Sequence, residues 1–418
     1  MVPKPKIAVI FLPGIMGSPL ENRTNGGTAW PAHKMGLTNP LNIDEWYSAT
    51  YYEKMRKFVD LKSSDFCSLT RAMKADMVYS RIWGWTINNV AETYHGFLKM
   101  LLSRKLKDTN GENLILEEFD YLAHVINYDW SRPIKETSLD VGGNTYEFVT
   151  QNKCDWFIYV THSMGGIVGM ASLADMNLEL GPWIQKKCLG MVRVACPVIG
   201  APETTARLVR GILPDGSITG PIASTILGNT GRKFSLFAAC LPGVASLLPQ
   251  LGSQSPINIH HVEAILNYHF GHAPLKKDFS EMEPDEASAL QYGNVFLIEL
   301  KKQFGESIFL ANQVTSKLYE NHQLFSKYVS AVVLIGKETL DSYIVNESPN
   351  HPYINPTWKS DVLGDSTVPI GSQACLSGHK VYVDGGIDHA NAFSDSQTWP
   401  HIIKAMNYRI RRGYGIEK

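Results

Sequence analysis

The chain is short of charge. Of its 418 residues 19% are charged, below the ~25% of an average soluble domain, and Lys+Arg 39 nearly cancel Asp+Glu 40 to leave a formal charge of −1. Without excess charge or a dense basic stripe there is no long-range field to gather nucleic acid, so no nucleic-acid partner is expected. Long apolar runs are missing too, and none approaches the ~18 residues of a membrane-spanning helix. The first run, Ile7 to Leu12, ends at Pro13-Gly14. It is shorter than the ~7–15 residue core of a secretory signal, and no small-residue cleavage site follows it. The expectation is a soluble protein, cytoplasmic as synthesised, with peripheral membrane association or signal-less export left open. The six cysteines (Cys67, Cys154, Cys188, Cys196, Cys240 and Cys375) form no Cys-x-x-Cys pair. Structural zinc is therefore not expected, and the thiols read as reduced and buried. No phosphate-binding Gly-x4-Gly-Lys-Ser/Thr loop occurs, and Gly165, Gly166 and Gly169 do not make a dinucleotide fingerprint. No cofactor is expected.

What is present is apolar and patterned. A 44% hydrophobic share is too high for disorder, and single cores stop growing near ~250–300 residues. The chain is thus two domains or one domain with large insertions. Short β-branched runs alternate with helical patterns, which predicts a mostly parallel α/β sheet. The predicted strands are Ile7 to Leu12, Tyr121 to Asn127, Trp156 to Thr161, Leu189 to Ala195, Ala331 to Ile335 and Lys380 to Val383. Ile87, Val90, Tyr94, Phe97, Leu98 and Leu101 predict a helix before the second strand. Ile167, Met170, Ala171 and Ala174 predict a shorter one after the third, and Trp399, Ile402, Ile403 and Met406 a last one. Residues 30–80, with Trp30, Trp46, Tyr47, Tyr51 and Tyr52 and no clear strand, and residues 203–325 break the alternation. Both are expected to be cap or lid insertions in one domain spanning 1–418, with helices inside them because long structureless loops are rare.

The strongest motif is Thr161-His162-Ser163-Met164-Gly165, a buried strand turning sharply into a helix. Serine hydrolases need that corner to lift the hydroxyl clear of the backbone. Gly165 is small, as the close approach of strand and helix requires. Thr161 is not, and places a β-branch where the usual motif has glycine. A nucleophilic serine needs a base oriented by an acid, in the order Ser, Asp, His on successive loops. Gly364-Asp365-Ser366-Thr367-Val368-Pro369 and Gly385-Gly386-Ile387-Asp388-His389-Ala390-Asn391 supply both. His379 and His401 compete as bases; His389, directly after the last strand, is preferred. Oxyanion donors are expected from the backbone amides of Met164 and of Ile15, in the glycine-bearing loop Leu12-Pro13-Gly14-Ile15-Met16-Gly17-Ser18.

These motifs, with Asn127-Tyr128-Asp129-Trp130, occur in an order that resembles the lecithin:cholesterol acyltransferase and lysosomal phospholipase A family, in a form without a signal peptide. The resemblance implies an α/β-hydrolase fold with helices on both faces of the sheet, a membrane-binding cap and a mobile lid. It implies acyl-ester cleavage of lipids, sometimes with transfer to an alcohol. Ser163 would be the nucleophile, Asp365 the acid, His389 the base, and the Ile15 and Met164 amides the oxyanion hole. The chain departs from the family at Ser131, which separates Asp129-Trp130 from Arg132, and at Thr161. The disulfides of secreted members also have no counterpart at Cys67 and Cys375.

The expected reaction is serine-dependent hydrolysis of a lipid acyl ester. Its rivals are O-acyl transfer, an esterase for soluble esters, and a binding protein that has kept the fold. The partner is an acyl-ester lipid, with the oligomeric state open. Residues 206–256 are apolar and carry Arg207, Arg210, Arg232 and Lys233 against Asp215. They read equally as a lid drawn to an anionic membrane or as core beneath a helical cap. Trp83 and Trp85 read as buried rather than as anchors at a membrane surface. His260, His261, Glu263, His269 and His272 match no zinc spacing and read as a polar loop rather than a metal site.

Overall fold

All six predicted strands form, and every pairing between them is parallel. The computed structural model describes residues 4–22, 28–30, 70–72, 77–78, 86–87, 92–103, 105–112, 118–211, 234–235, 238–239, 241–250, 252–253, 256–270, 286–342, 344–346, 353–355 and 363–415. The strands are β1 (Lys6–Leu12), β2 (Asp120–Val125), β3 (Trp156–His162), β4 (Cys188–Val194), β5 (Val329–Ile335) and β6 (His379–Asp384). They lie side by side in the order β2-β1-β3-β4-β5-β6. The inner strands β1, β3, β4 and β5 are buried along nearly their whole length and read as near-continuous apolar runs, whereas the edge strands β2 and β6 are only partly buried.

Two cores follow from the alternation of side chains along each strand. Ile7, Val9 and Phe11 of β1 face helices α1 (His95–Leu102) and, from the far end of the chain, Ile402, Ile403, Met406 and Ile410. Ala8, Ile10 and Leu12 face the opposite way, toward α2 (Ile134–Gln151) and α3 (Met164–Lys187). Each large apolar side chain so enclosed contributes about 1.5–3 kcal/mol. Above this second face lie α4 (Pro202–Arg210), α5 (Ile259–Phe270) and the 35-residue α6 (Glu286–Glu320), which packs on α5, α3 and α2. Then come α7 (His322–Tyr328) and α8 (Trp399–Tyr414). Helices were expected within 203–325, and α4 to α6 are there.

Several local expectations are corrected. The helix predicted from Ile87 starts only at His95, after a tight turn at Glu92–Tyr94, because Thr86–Ile87 is instead a strand paired with Met77–Val78. The helix after Ser163 is long rather than short and bends at Leu180, two residues before Pro182, whose ring clashes with helical backbone. Helix α2 has no apolar signature strong enough to predict. It packs closely on α3, and a Cβ at Gly142 would stand 3.1 Å from Met176 Cγ. Strands do occur at the edges of 30–80: Thr70–Ala72 pairs with Leu20–Asn22, which also pairs with Thr28–Trp30. Trp46, Tyr47, Tyr51, Tyr52, Trp83 and Trp85 lie outside the described residues. His260 to His269 lie on α5, a helix rather than the expected polar loop. Among the described residues no helix is long and apolar enough to cross a membrane.

Candidate active site

The C-terminal ends of β1, β3, β5 and β6 converge because the strands are parallel and in register. Leu12 pairs with Thr161, and Ile335 with Asp384. Ser163 stands directly after β3 and just ahead of α3, with φ 49 and ψ −126. That backbone conformation costs an ordinary residue roughly 1–3 kcal/mol and persists only where its surroundings enforce it. Here the Ser163 amide donates to the Val194 carbonyl at 3.0 Å, and its carbonyl accepts from Gly166 at 2.8 Å. Gly165 is obligatory: a Cβ there would press into the Pro13 carbonyl oxygen and stand 2.6 Å from that of Leu12. The tight approach is therefore between the helix start and the loop after β1. Thr161 does not obstruct it: its methyl group packs at Gly169, one turn further along the helix, 3.5 Å from where a Cβ would be.

Asp365 and His389 arrive by different routes. After β5 the chain leaves the sheet and returns through Leu363–Gly364, which pairs antiparallel with Lys337–Glu338. Asp365 is thereby delivered to the end of β5, fully buried. Its Oδ1 accepts the amides of Val368 at 2.6 Å and Thr367 at 3.1 Å, leaving Oδ2 for His389 Nδ1 at 2.7 Å. Gly364 permits the turn, since a Cβ would stand 2.5 Å from the Val368 carbonyl oxygen. His389, in the short helical turn His389–Asn391 after β6, also donates its own amide to the Asp365 carbonyl at 2.8 Å. Its Nε2 lies 2.8 Å from Ser163 Oγ. With the Nδ1 proton committed to a carboxylate, Nε2 has the lone pair free to accept from the serine hydroxyl.

The structure thus brings Ser163, His389 and Asp365 into one hydrogen-bonded line, and it leaves the two competing bases elsewhere. His379 begins β6, at the opposite end of that strand, bonded to Ser330 Oγ at 3.0 Å and stacked on Tyr408. His401 lies in the first turn of α8.

The loop after β1 reaches the serine. A Cβ at Gly14 would stand 3.2 Å from Ser163 Cβ, so the following residue, Ile15, is carried to the edge of the site. Met164 is the first residue of α3, where helical amides have no acceptor within the helix. The loop is pinned by hydrogen bonds that the sequence pattern does not assign to these groups. Tyr128 Oη donates to the Pro13 carbonyl at 2.6 Å, and Trp130 Nε1 to that of Ser18 at 3.1 Å. The Gly14 amide donates to Tyr94 Oη at 2.9 Å, which in turn lies 2.8 Å from Nδ1 of His162. His162 Nε2 is 3.1 Å from the His389 carbonyl. Burial, and next the neighbouring His389, hold the His162 ring well below the usual imidazole pKa, although its bond to the His389 carbonyl acts in the other direction. Tyr94 carries only a core signal in the sequence, an aromatic at helical spacing; nothing local marks its hydroxyl.

The other residues that the sequence singles out fall away from this centre. In the expected lid, Leu208, Phe234, Leu241, Val244 and Leu248 are buried, and Arg207 and Arg210 both pair with Glu203, so its described part fits core beneath a cap. Ile212, Leu213, Asp215, Arg232 and Lys233 lie outside the described residues, as do Cys67, Cys240 and His272. Cys154, Cys188 and Cys196 are free and buried, as expected, whereas Cys375 is only half-buried. Burial pushes the Cys196 thiol up to about 11 despite the adjacent Arg193. His269 Nε2 bonds the Leu208 carbonyl at 2.8 Å, and His261 lies beside Asn258.

Strand order and this strained serine corner define an α/β-hydrolase fold. No family model matches the chain, and no curated protein does. Among solved structures it is similar to one described as the crystal structure of the Tle4–Tli4 complex, with TM-score 0.63 and 13% identity over 99% of each chain. Smaller overlaps occur with a membrane phospholipase A described as a bacterial virulence factor (TM-score 0.25, 11% identity, 72% of this chain and 73% of that one). A haloalkane dehalogenase loop variant from Bradyrhizobium elkanii overlaps similarly (TM-score 0.28, 11% identity, 72% and 84%).

Proposed function

We propose that this chain is a serine hydrolase that cleaves lipid acyl esters through an acyl-enzyme on Ser163. The observation that carries the reading is His389, whose two ring nitrogens bridge Ser163 Oγ and Asp365 Oδ2 at 2.8 and 2.7 Å. In the first half-reaction Nε2 takes the Ser163 proton as Oγ bonds to the ester carbonyl carbon. Electrons move onto the carbonyl oxygen, which the Ile15 and Met164 amides receive. Collapse of this intermediate breaks the ester C–O bond, and the imidazolium returns the proton to the departing alcohol. Water, deprotonated by the same nitrogen, then releases the acid. Asp365 holds the ring and the imidazolium charge throughout.

A lipid rather than a small ester is supported by the order of motifs shared with the lecithin:cholesterol acyltransferase and lysosomal phospholipase A family, and by the apolar cap built from α5 and α6. Peripheral contact with a membrane surface belongs to the same reading. Its candidate points are Ile298 and Phe309, three helical turns apart on α6 and exposed by 65% and 62%. Transfer of the acyl group to an alcohol differs only in deacylation. The test uses a fluorophosphonate probe and a phospholipid labelled in its acyl chain. The purified protein is expected to be labelled at Ser163 and to release free fatty acid, and Ser163→Ala to do neither. Label appearing on an added alcohol instead would establish transfer. A preference for monomeric esters over micelles would make the enzyme a soluble esterase. Wild-type protein inert to probe and lipid alike would end the catalytic reading.

A further inference from the structure

Three loops meet at the serine, from the ends of β1, β3 and β6, and one buried line of hydrogen bonds runs through all three. It passes from the Gly14 amide to Tyr94 Oη (2.9 Å), on to His162 Nδ1 (2.8 Å), and from His162 Nε2 to the His389 carbonyl (3.1 Å). The direction of each proton follows from the ends. An amide only donates and a carbonyl only accepts, so His162 carries its proton on Nε2 and Nδ1 must accept from Tyr94. One neutral tautomer satisfies every bond. Burial favours it twice over, raising the Tyr94 phenol and lowering the His162 imidazolium, so that neither group ionises at neutral pH.

Resting on the serine-hydrolase reading above, we infer that Tyr94 and His162 are positioning residues that lock the oxyanion loop to the loop of the catalytic base. The Gly14 amide lies one peptide before the Ile15 N–H, so fixing the first aims the second. The His389 carbonyl belongs to the residue whose ring must meet Ser163 Oγ. Each end is also held from its other side: the Pro13 carbonyl by Tyr128 at 2.6 Å, and the His389 amide by the Asp365 carbonyl at 2.8 Å. A link at both ends holds donor and base at one mutual distance, which is where orientation effects on rate arise. The Tyr94 ring packs without help from its hydroxyl, edge-on to Phe11 at 5.0 Å and to Phe393 at 5.7 Å. Phenylalanine would keep that packing.

The experiment compares Tyr94→Phe, His162→Gln, His162→Phe, the double variant Tyr94→Phe/His162→Gln, and Tyr159→Phe. The last removes a buried hydroxyl bonded to Thr145 at 2.6 Å, away from the site. For an active wild type, Tyr94→Phe is expected to lower kcat about tenfold, with KM within about twofold and a Tm lowered about as much as by Tyr159→Phe, which also deletes a buried, hydrogen-bonded hydroxyl. Tyr159→Phe should keep kcat. Glutamine at 162 retains an N–H for the His389 carbonyl, so it should recover part of the loss seen with phenylalanine. The double variant should be no slower than the slower single, because the two residues share one bond. An active wild type with Tyr94→Phe at full kcat, or with losses that multiply independently, overturns the inference alone. A wild type that neither reacts with a fluorophosphonate nor cleaves lipid removes the serine-hydrolase reading, and the inference goes with it.

Discussion

Gly165 and Pro13 touch through bare backbone: the helix that begins after Ser163 passes so close to the loop after β1 that a single added methyl group would intrude on the Pro13 carbonyl oxygen. Rigid main chain surrounds the contact on both sides, so relief requires moving the loop after β1 or the serine corner. Gly165→Ala is expected to lose about 1–3 kcal/mol or more of stability, read as a lower Tm. It should also lose fluorophosphonate reactivity beyond what the lower folded fraction explains. A variant that matches wild type in both would show that the loop is not held where it lies.

Asp365→Asn tests the orienting role of the carboxylate. Asparagine fits the same space, yet its amide cannot stabilise an imidazolium and can bind the wrong imidazole tautomer. A loss of about 10³–10⁴-fold in kcat with little change in KM is expected from steady-state kinetics. A loss of less than tenfold would reduce Asp365 to a structural group holding Thr367 and Val368.

Stability should fall on mild acidification, and His124 is one reason. Burial lowers its pKa to about 4, against 6.5 in an unfolded chain, and its ring stacks on Phe148 with centroids 4.1 Å apart. Between those two values the unfolded chain holds more protons, so the contribution is intact above pH 6.5 and drains away as pH falls toward 4. From pH 7 to pH 5 the loss is at most about 2 kcal/mol. His379, also lowered to about 4 by burial and then by Arg409 and Lys404, works in the same direction. His124→Phe keeps a stacked ring without the titration, so its Tm should drop less than that of wild type over this range. Equal drops would clear His124.

The central strands are legible because parallel strands covered on both faces are nearly continuous apolar runs, and the Ser163–His389–Asp365 line because its three members sit on marked turns in a fixed order. Helix α2 escaped because Gly142-Gly143 and a polar surface blur its period, although the glycine is what lets α3 approach. Ile87 shares helical spacing with Phe97 and Leu101 yet pairs as a strand, a tertiary choice that no local rule records. The hydrogen bonds of Tyr94, Tyr128 and His162 are invisible in the sequence for a different reason. Their partners lie 68 to 227 residues away, and such bonds leave no trace in periodicity.

The route by which the acid and base reach the serine has a consequence for biosynthesis. His389 is 226 residues further along than Ser163. At about 5–20 residues per second, a ribosome takes roughly 10–45 s to cover that distance. Throughout this interval the growing polypeptide carries the Ser163 hydroxyl without its two distant partners, so the hydrogen-bonded line to His389 and Asp365 closes only after the last strand of the sheet has been made.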